Sequence, residues 1–226
     1  TYVLAGSTTV NSNLAITNGT LDTVSGQSYA LSVGGNFTNA GTFTSQSGTV
    51  TLTGTGTQTL TSGGSSFYNL TINGSGGTYT LQDALAVSNN LTITAGTLDT
   101  KSGSNYGVTV GGTWSNSGTF TPRNGTLTLT GTSTLSDTTS FYNVTFNGSG
   151  NTLTLGAALN VSNILTITAG TLDASSRTIT LSGTTGAPLV NSGTFTASTS
   201  TVAFTGNNAS GNTTIPSVTY NNLTLN

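Results

Sequence analysis

The stretch Leu91-Thr92-Ile93-Thr94-Ala95-Gly96-Thr97-Leu98-Asp99 occurs three times in this chain in nearly the same form. An earlier copy, LAITNGTLD, begins at Leu14, and a later copy, LTITAGTLD, begins at Leu165. The step from Leu14 to Leu91 is therefore nearly equal to the step from Leu91 to Leu165. Self-similarity at a nearly fixed period is typical of an array in which each unit buries its apolar face against the next.

Other landmarks follow the same step. The motif NAGTFT at 39–44 returns as NSGTFT at 116–121 and at 191–196. The motif SFYNLTING at 66–74 returns as SFYNVTFNG at 140–148, and a weaker copy covers 220–226. The sequence predicts three repeats, 1–73, 74–147 and 148–226, within one continuous array and without separate globular domains.

The first and last residues occupy adjoining positions of the repeat. Tyr2-Val3-Leu4 aligns with 79–81, and Asn226 aligns with Asn73. Natural arrays carry atypical polar caps at their ends, and neither end here has one. We therefore expect a segment of a longer array, or a unit that joins others head to tail. The predicted contact residues are Tyr2, Val3, Leu4, Leu223 and Leu225.

Composition favours strands and excludes several classes of function. The chain has 226 residues, among them 53 Thr and 31 Gly, and only 4% of its residues are charged. Thr favours strands, and Gly supplies turns. Three cations cannot neutralise a useful number of phosphates, so no nucleic-acid partner is expected. The lack of Cys fits a secreted bacterial protein without disulfides, and the sequence predicts no membrane insertion.

Short alternating segments predict an all-β fold. Thr126-Leu127-Thr128-Leu129-Thr130 is one example, with Leu on one face and Thr on the other. Within a repeat, Gly96-Thr97-Leu98 is echoed by Gly118-Thr119-Phe120, and this difference in numbering (118 − 96 = 22) suits one solenoid turn of three strands. We expect a right-handed parallel β-solenoid with about three turns per repeat, in preference to three small sandwiches. The residues predicted to lie inside it are Leu91, Ile93, Leu98, Val110, Leu127 and Leu129.

Several of these segments resemble the bacterial beta strand repeat-containing proteins. The residues that carry the resemblance are VGGNFTNAGTF at 33–43, FYNLTIN at 67–73 and LTITAGTL at 91–98. The resemblance implies a very large, low-charge, secreted or surface-attached chain with an adhesin-like organisation. It implies no catalytic residues.

Chemical groups for catalysis are few. The chain has no His or Cys, and its acids are Asp22, Asp83, Asp99, Asp137 and Asp173. Three of them, Asp22, Asp99 and Asp173, occupy one position of the repeat, which favours turn-forming Asp over a calcium ligand. Asp83 and Asp99 are the pair to check for carboxylate catalysis. We predict no enzyme activity, no cofactor and no metal site.

Threonine runs suggest a ligand face. Thr alternates from Thr49 to Thr61 and again from Thr126 to Thr134, and a flat array of this kind would resemble an ice-binding surface. The simpler interpretation is that Thr suits a solvated strand face and that Gly54 and Gly56 bend the strand. The candidate ligand residues are Thr49, Thr51, Thr53, Thr126, Thr128 and Thr130.

Aromatic and amide side chains leave a second binding alternative open. The recurring aromatics are expected in the core rather than on a sugar-binding platform; they are Phe37, Phe43, Trp114, Phe120 and Phe195. Together these features predict a structural segment of an extracellular filament, stalk or adhesin, whose partner is itself. The alternative is a binding module for ice or for surface glycans.

Overall fold

The computed structural model describes residues 1–209 and 211–226, and within them it contains strands and turns but no helix. Ser210, in the third predicted repeat, lies outside the described residues. The strands are β1 (Tyr2–Val3), β2 (Thr8–Val10), β3 (Leu14–Ile16), β4 (Thr20–Asp22), β5 (Leu31–Val33), β6 (Phe37–Asn39), β7 (Thr42–Thr44), β8 (Thr49–Leu52), β9 (Thr57–Thr61), β10 (Asn69–Leu81), β11 (Leu85–Val87), β12 (Leu91–Asp99), β13 (Val108–Val110), β14 (Trp114–Asn116), β15 (Thr119–Thr121), β16 (Thr126–Leu129), β17 (Ser133–Leu135), β18 (Ser140–Leu155), β19 (Leu159–Asp173), β20 (Thr178–Leu181), β21 (Leu189–Asn191), β22 (Thr194–Thr196), β23 (Thr201–Phe204) and β24 (Asn222–Leu225).

The chain divides into two compact units. Unit 1 comprises residues 1–111 and 115–123, and unit 2 comprises residues 112–114 and 124–226. In each unit, successive turns of the chain pair their strands in parallel, so the predicted parallel β-solenoid is confirmed. The repeat boundaries at 73 and 147 and the right-handed coil remain predictions.

Unit 1 stacks its strands in columns. One column runs β2-β5-β8-β10-β12, and another runs β3-β6-β9-β10. The numbering difference between partners in adjacent turns is 19 in the pair Leu31↔Val50 and 23 in the pair Leu14↔Phe37. The step of 22 predicted for one turn falls within this range.

Unit 2 has the same organisation. One column runs β18-β19-β20-β23-β24, and β16 and β17 both pair with β18. The numbering difference varies from 17 in the pair Thr126↔Asn143 to 24 in the pair Leu165↔Leu189. A turn can vary in length because the corners between strands absorb extra residues while the strands keep their register.

The interior of each unit is apolar. The six residues predicted to lie inside are all at most 1% exposed: Leu91, Ile93, Leu98, Val110, Leu127 and Leu129. Their neighbours along the strand, such as Thr92 and Thr128, are half-exposed. The period of two thus separates core from solvent, as alternating side chains of a strand must.

The corners depend on glycine where one turn crosses another. Gly74, at the bend within β10, lies directly over the carbonyl oxygen of Gly54 in the preceding turn, and an added Cβ would overlap that oxygen. The bend interrupts the register of β10 between Asn73 and Thr78. Glycine at this corner therefore lets the strands on both sides keep their spacing.

A buried tyrosine completes one corner of unit 1. Tyr79 is fully buried, and its hydroxyl accepts a hydrogen bond from the Gly54 N–H at 2.9 Å and donates one to the Val33 carbonyl oxygen at 3.3 Å. Burial raises the pKa of the Tyr79 hydroxyl, and the Gly54 N–H bond partly offsets that rise. The hydroxyl thus satisfies a backbone N–H at the corner that follows β8.

Candidate functional site: the aspartate corners and the threonine columns

Aspartate forms the same turn in each of the three copies of the repeated motif. The side-chain oxygen Oδ1 accepts a hydrogen bond from the backbone N–H two residues later: Asp22 from Val24 at 2.7 Å, Asp99 from Lys101 at 2.9 Å and Asp173 from Ser175 at 2.8 Å. Val24, Lys101 and Ser175 all have positive φ. The Asp side chain therefore stabilises a left-handed turn, as the repeated position predicted.

The next turn of the solenoid supplies a second partner to each of these aspartates. Gln46 Nε2 donates to Asp22 at 2.9 Å, Arg123 Nη2 donates to Asp99 Oδ2 at 2.7 Å, and Ser198 Oγ donates to Asp173 at 3.0 Å. The donors also have positive φ. We call this arrangement the aspartate corner. It holds two neighbouring turns together with one carboxylate.

The aspartate corner of the second repeat carries the ion pair. Arg123 also donates from Nε to Asp99 Oδ1 at 3.0 Å, so the guanidinium binds the carboxylate with two parallel bonds. These hydrogen bonds hold the pKa of Asp99 below its ordinary value, against the opposing effect of burial. Asp99 is therefore bound as a carboxylate rather than poised as an acid.

The other two aspartates also bond across turns. Asp83 accepts hydrogen bonds from Ser62 N at 2.8 Å and from Ser62 Oγ at 3.0 Å, both from the preceding turn. Asp137 accepts one from the Trp114 indole N–H at 2.7 Å, again across turns. Asp83 and Asp99, the pair singled out for catalysis, are each bound to structural partners. Among residues 1–209 and 211–226, no three acidic, His or Cys side chains gather as metal ligands would.

The predicted threonine run does not lie on one face. Thr49 and Thr51 belong to β8, whereas Thr57 and Thr59 belong to β9, beyond the corner at Gly54. The second run divides in the same way between β16, which carries Thr126 and Thr128, and β17. Thr53 and Thr130 follow the ends of β8 and β16. The bend expected at the glycines is therefore present in the first run.

Threonines from different turns form columns instead. Thr51, Thr71 and Thr92 align in unit 1, and Thr128, Thr145 and Thr166 align in unit 2. These columns include two of the residues proposed as a ligand face, Thr51 and Thr128.

A larger threonine array was missed by the sequence analysis. Thr57, Thr78, Thr97 and Thr119 align over four turns of unit 1, with Thr59, Thr80 and Thr121 in the adjacent column. Asp99 occupies the remaining position of that second column. The signal that identifies all four rows is the Gly-Thr-x-Thr pattern at 56–59, 77–80 and 118–121, with Gly-Thr-x-Asp at 96–99.

The recurring aromatics lie inside, with one exception. Phe37, Phe43, Trp114 and Phe120 are each at most 5% exposed, whereas Phe195 is half-buried against Tyr220. In unit 1, the rings of Phe37 and Phe67 lie 5.2 Å apart, and those of Phe43 and Phe67 lie 5.6 Å apart. Four of the five aromatics thus pack in the core and present no sugar-binding platform.

Four of the five predicted assembly residues are the most exposed large apolar side chains among the described residues. Tyr2 is 75% exposed, Val3 64%, Leu225 61% and Leu223 41%, whereas Leu4 is half-buried. The remaining exposed large apolar residue among those described is Val190, at 38%. In unit 1, the exposed large apolar side chains are those of Tyr2 and Val3, in its first turn. In unit 2, Leu223 and Leu225 lie in the last turn.

Comparison with known proteins yields no match to a family model, to a curated protein or to a solved structure. The resemblance to beta strand repeat-containing proteins stays a prediction. The described part of the chain contains no helix that is long and apolar enough to cross a membrane.

Proposed function

We propose that this chain is a structural, non-catalytic solenoid segment of an extracellular filament, stalk or adhesin. One observation carries the proposal: each of the five aspartates bonds to a residue 20–25 positions away, in a neighbouring turn. The carboxylates, which would serve catalysis or ion binding elsewhere, are used here to join turns.

Backbone and side-chain ladders support the same role. Asn69 Oδ1 accepts a hydrogen bond from Asn89 Nδ2 at 2.9 Å in unit 1, and Asn143 Oδ1 accepts one from Asn163 Nδ2 at 2.8 Å in unit 2. Asn69 and Asn143 are equivalent in the repeat. A protein whose turns are joined at repeated positions resists local opening, since separating two turns breaks many bonds together.

The proposal includes association of like turns at two surfaces. Val3 and Leu4 lie in the first turn of unit 1, and Leu223 and Leu225 lie in the last turn of unit 2. We expect each of these two turns to stack against another solenoid turn, supplied by a flanking repeat or by a second copy of the chain. Contacts between two different surfaces that do not close into a ring produce chains of molecules rather than dimers.

Charge substitutions in these two turns test the association. Val3→Asp and Leu225→Asp should each reduce association measured by light scattering, and an equimolar mixture of the two should form heterodimers only. Val190→Asp is the matched control, because it places the same charge on exposed apolar surface away from the first and last turns. If the mixture forms no heterodimer, or if Val190→Asp has the same effect, head-to-tail association is wrong.

The threonine array favours a second candidate function, an ordered-water or ice-binding face. Four aligned threonines, Thr57, Thr78, Thr97 and Thr119, repeat at the strand spacing of about 4.8 Å.

Substitutions within the threonine array test this second function. Thr78→Tyr and Thr97→Tyr should abolish any inhibition of ice recrystallisation. Thr109→Tyr, an exposed position of β13, is the control. An unmodified chain without inhibitory activity would eliminate this second function and leave the structural role untouched.

A further inference from the structure

The corner within β10 contains extra residues that the next turn lacks. In the parallel ladder between β10 and β12, Asn73 pairs with Ala95 and Thr78 pairs with Thr97. Between these two pairs β10 has four residues (78 − 73 − 1 = 4), whereas β12 has one (97 − 95 − 1 = 1). The equivalent corner within β18 has the same insertion relative to β19. We call residues 73–77 of β10 and residues 147–151 of β18 the projecting corners.

The extra residues extend outward because the inner side of the corner is filled. Gly74 and Gly77 both pack against the Gly54 carbonyl oxygen of the preceding turn. Ser75 and Gly76 are exposed, and an added Cβ on Gly76 would meet no atom within 4 Å. Since the solenoid continues on both sides of this corner, its exposed surface faces sideways and stays open when turns stack.

Each projecting corner begins with an acceptor motif for N-linked sugar. The motif Asn-x-Ser/Thr, in which x is not Pro, is present as Asn73-Gly74-Ser75 and as Asn147-Gly148-Ser149. Both asparagines are exposed, and neither side chain has a hydrogen-bond partner among residues 1–209 and 211–226. The amide nitrogen that would bind the sugar is therefore accessible in both corners.

The same motif four residues earlier is held by the fold. It is present as Asn69-Leu70-Thr71 and as Asn143-Val144-Thr145, and both asparagines are half-buried. Asn69 Nδ2 donates to Thr49 Oγ1 at 3.4 Å, and Asn143 Nδ2 donates to Thr126 Oγ1 at 3.4 Å. Their Oδ1 atoms also accept hydrogen bonds from asparagines of the next turn. Attachment of a sugar at these two positions requires local opening of the turn.

We infer that Asn73 and Asn147 are sites at which the folded chain accepts N-linked sugar. In the transfer, Nδ2 of the asparagine bonds to C1 of a sugar that is supplied as its nucleoside diphosphate. The bond from C1 to the diphosphate oxygen breaks, and the nucleoside diphosphate leaves with the electron pair. Nδ2 loses one proton to a base of the transferase. No oxidant or reductant is needed.

Sugar at the projecting corners would hydrate a chain in which only 4% of the residues are charged. Because the corners face sideways, the added sugar would leave the stacking of turns unobstructed. The inference goes beyond the structural role, and it does not depend on association between copies of the chain.

Transfer of glucose to the purified, folded 226-residue chain tests the inference. The probe is a soluble transferase that uses UDP-glucose and recognises Asn-x-Ser/Thr, and peptide mapping by mass spectrometry follows each asparagine with time. Asn73 and Asn147 should gain one hexose about tenfold or more faster than Asn69 and Asn143, because the latter two must open first.

A synthetic peptide of residues 66–76 is the matched control, since it contains both Asn69 and Asn73 without the fold. In this peptide Asn69 should be modified at least as fast as Asn73. A preference for Asn73 that appears only in the folded chain would show that the fold selects the site.

Ser75→Ala removes the motif at one projecting corner and leaves the other as an internal reference. Ser75 is exposed, so the variant should keep its fold, which circular dichroism checks, and should lose the hexose at Asn73 alone. The inference is overturned if Asn73 and Asn147 gain no hexose in the folded chain, if Asn69 gains it as fast as Asn73 there, or if Ser75→Ala changes nothing. None of these results bears on the structural role, which light scattering tests separately.

Discussion

The guanidinium of Arg123 binds the carboxylate of Asp99 from the next turn of the solenoid, with Nη2 and Oδ2 2.7 Å apart. In the first repeat, the uncharged amide of Gln46 donates the corresponding hydrogen bond to Asp22. The shared element is therefore a side-chain bond between turns, and the ion pair is one form of it.

This comparison predicts that Arg123→Gln is tolerated better than Arg123→Ala. The glutamine can donate to Asp99 as Gln46 does to Asp22, whereas alanine leaves the carboxylate without its cross-turn partner. Urea midpoints at neutral pH measure the difference. Equal midpoints for the two variants would mean that the bond between turns does not contribute to stability.

The pH dependence of stability should be small between about pH 4.5 and pH 8, because the chain has no His. At lower pH, stability should fall. The pKa of Asp99 is lowered on folding, so its contribution is present above the ordinary aspartate pKa and is lost as the pH falls through the lowered one. Arg123→Ala should reduce this acid sensitivity. A large difference between urea midpoints at pH 4.5 and pH 8 would contradict the first expectation.

Alkaline pH should destabilise unit 1 through Tyr79. Its pKa is raised by burial, so the folded state favours the neutral hydroxyl and stability is lost as the pH rises above the ordinary tyrosine value of about 10. Tyr79→Phe should remove this effect at the cost of about 1–3 kcal/mol of unfolding free energy, because the buried Gly54 N–H loses its partner. Tyr2→Phe, at an exposed tyrosine, is the control and should change little. If Tyr79→Phe left the unfolding free energy unchanged, the Gly54 N–H would not depend on the Tyr79 hydroxyl for its partner.

The separation between core and solvent predicts opposite results for two neighbours in β12. Ile93 is fully buried, and Ile93→Ala should cost about 2–5 kcal/mol of unfolding free energy. Thr92 faces outward, and Thr92→Ala should change stability by about 0.5 kcal/mol or less. Denaturant unfolding followed by circular dichroism measures both. If the two variants lost similar amounts of unfolding free energy, the assignment of Ile93 to the core face and Thr92 to the solvent face would be wrong.

Strands and core could be predicted from the sequence because both depend on a local pattern with a period of two. Leu91 and Ile93 follow this pattern, as do Leu127 and Leu129, and all four are buried. A fixed step of 22 residues could not predict the columns between turns, since they depend on how many residues each corner absorbs. The aligned residues Thr57 and Thr78 differ by 21 in numbering, for example, whereas Thr78 and Thr97 differ by 19.

The partners of the aspartate corner were missed for a related reason. Gln46, Arg123 and Ser198 occupy similar positions relative to Asp22, Asp99 and Asp173. Their side chains have little in common except a hydrogen-bond donor. A search for repeated residue types therefore passes over them, whereas their shared positive φ identifies them at once in the structure.

Stretching single molecules tests the structural role most directly. The chain is held by its two ends and extended, and its length is recorded against force. Turns joined by strand ladders and aspartate corners should resist and then release in steps that are multiples of one turn, about 70 Å of extended chain for about 21 residues. Extension without steps, at the low force that straightens an unfolded chain, would contradict the proposal that stacked turns carry load.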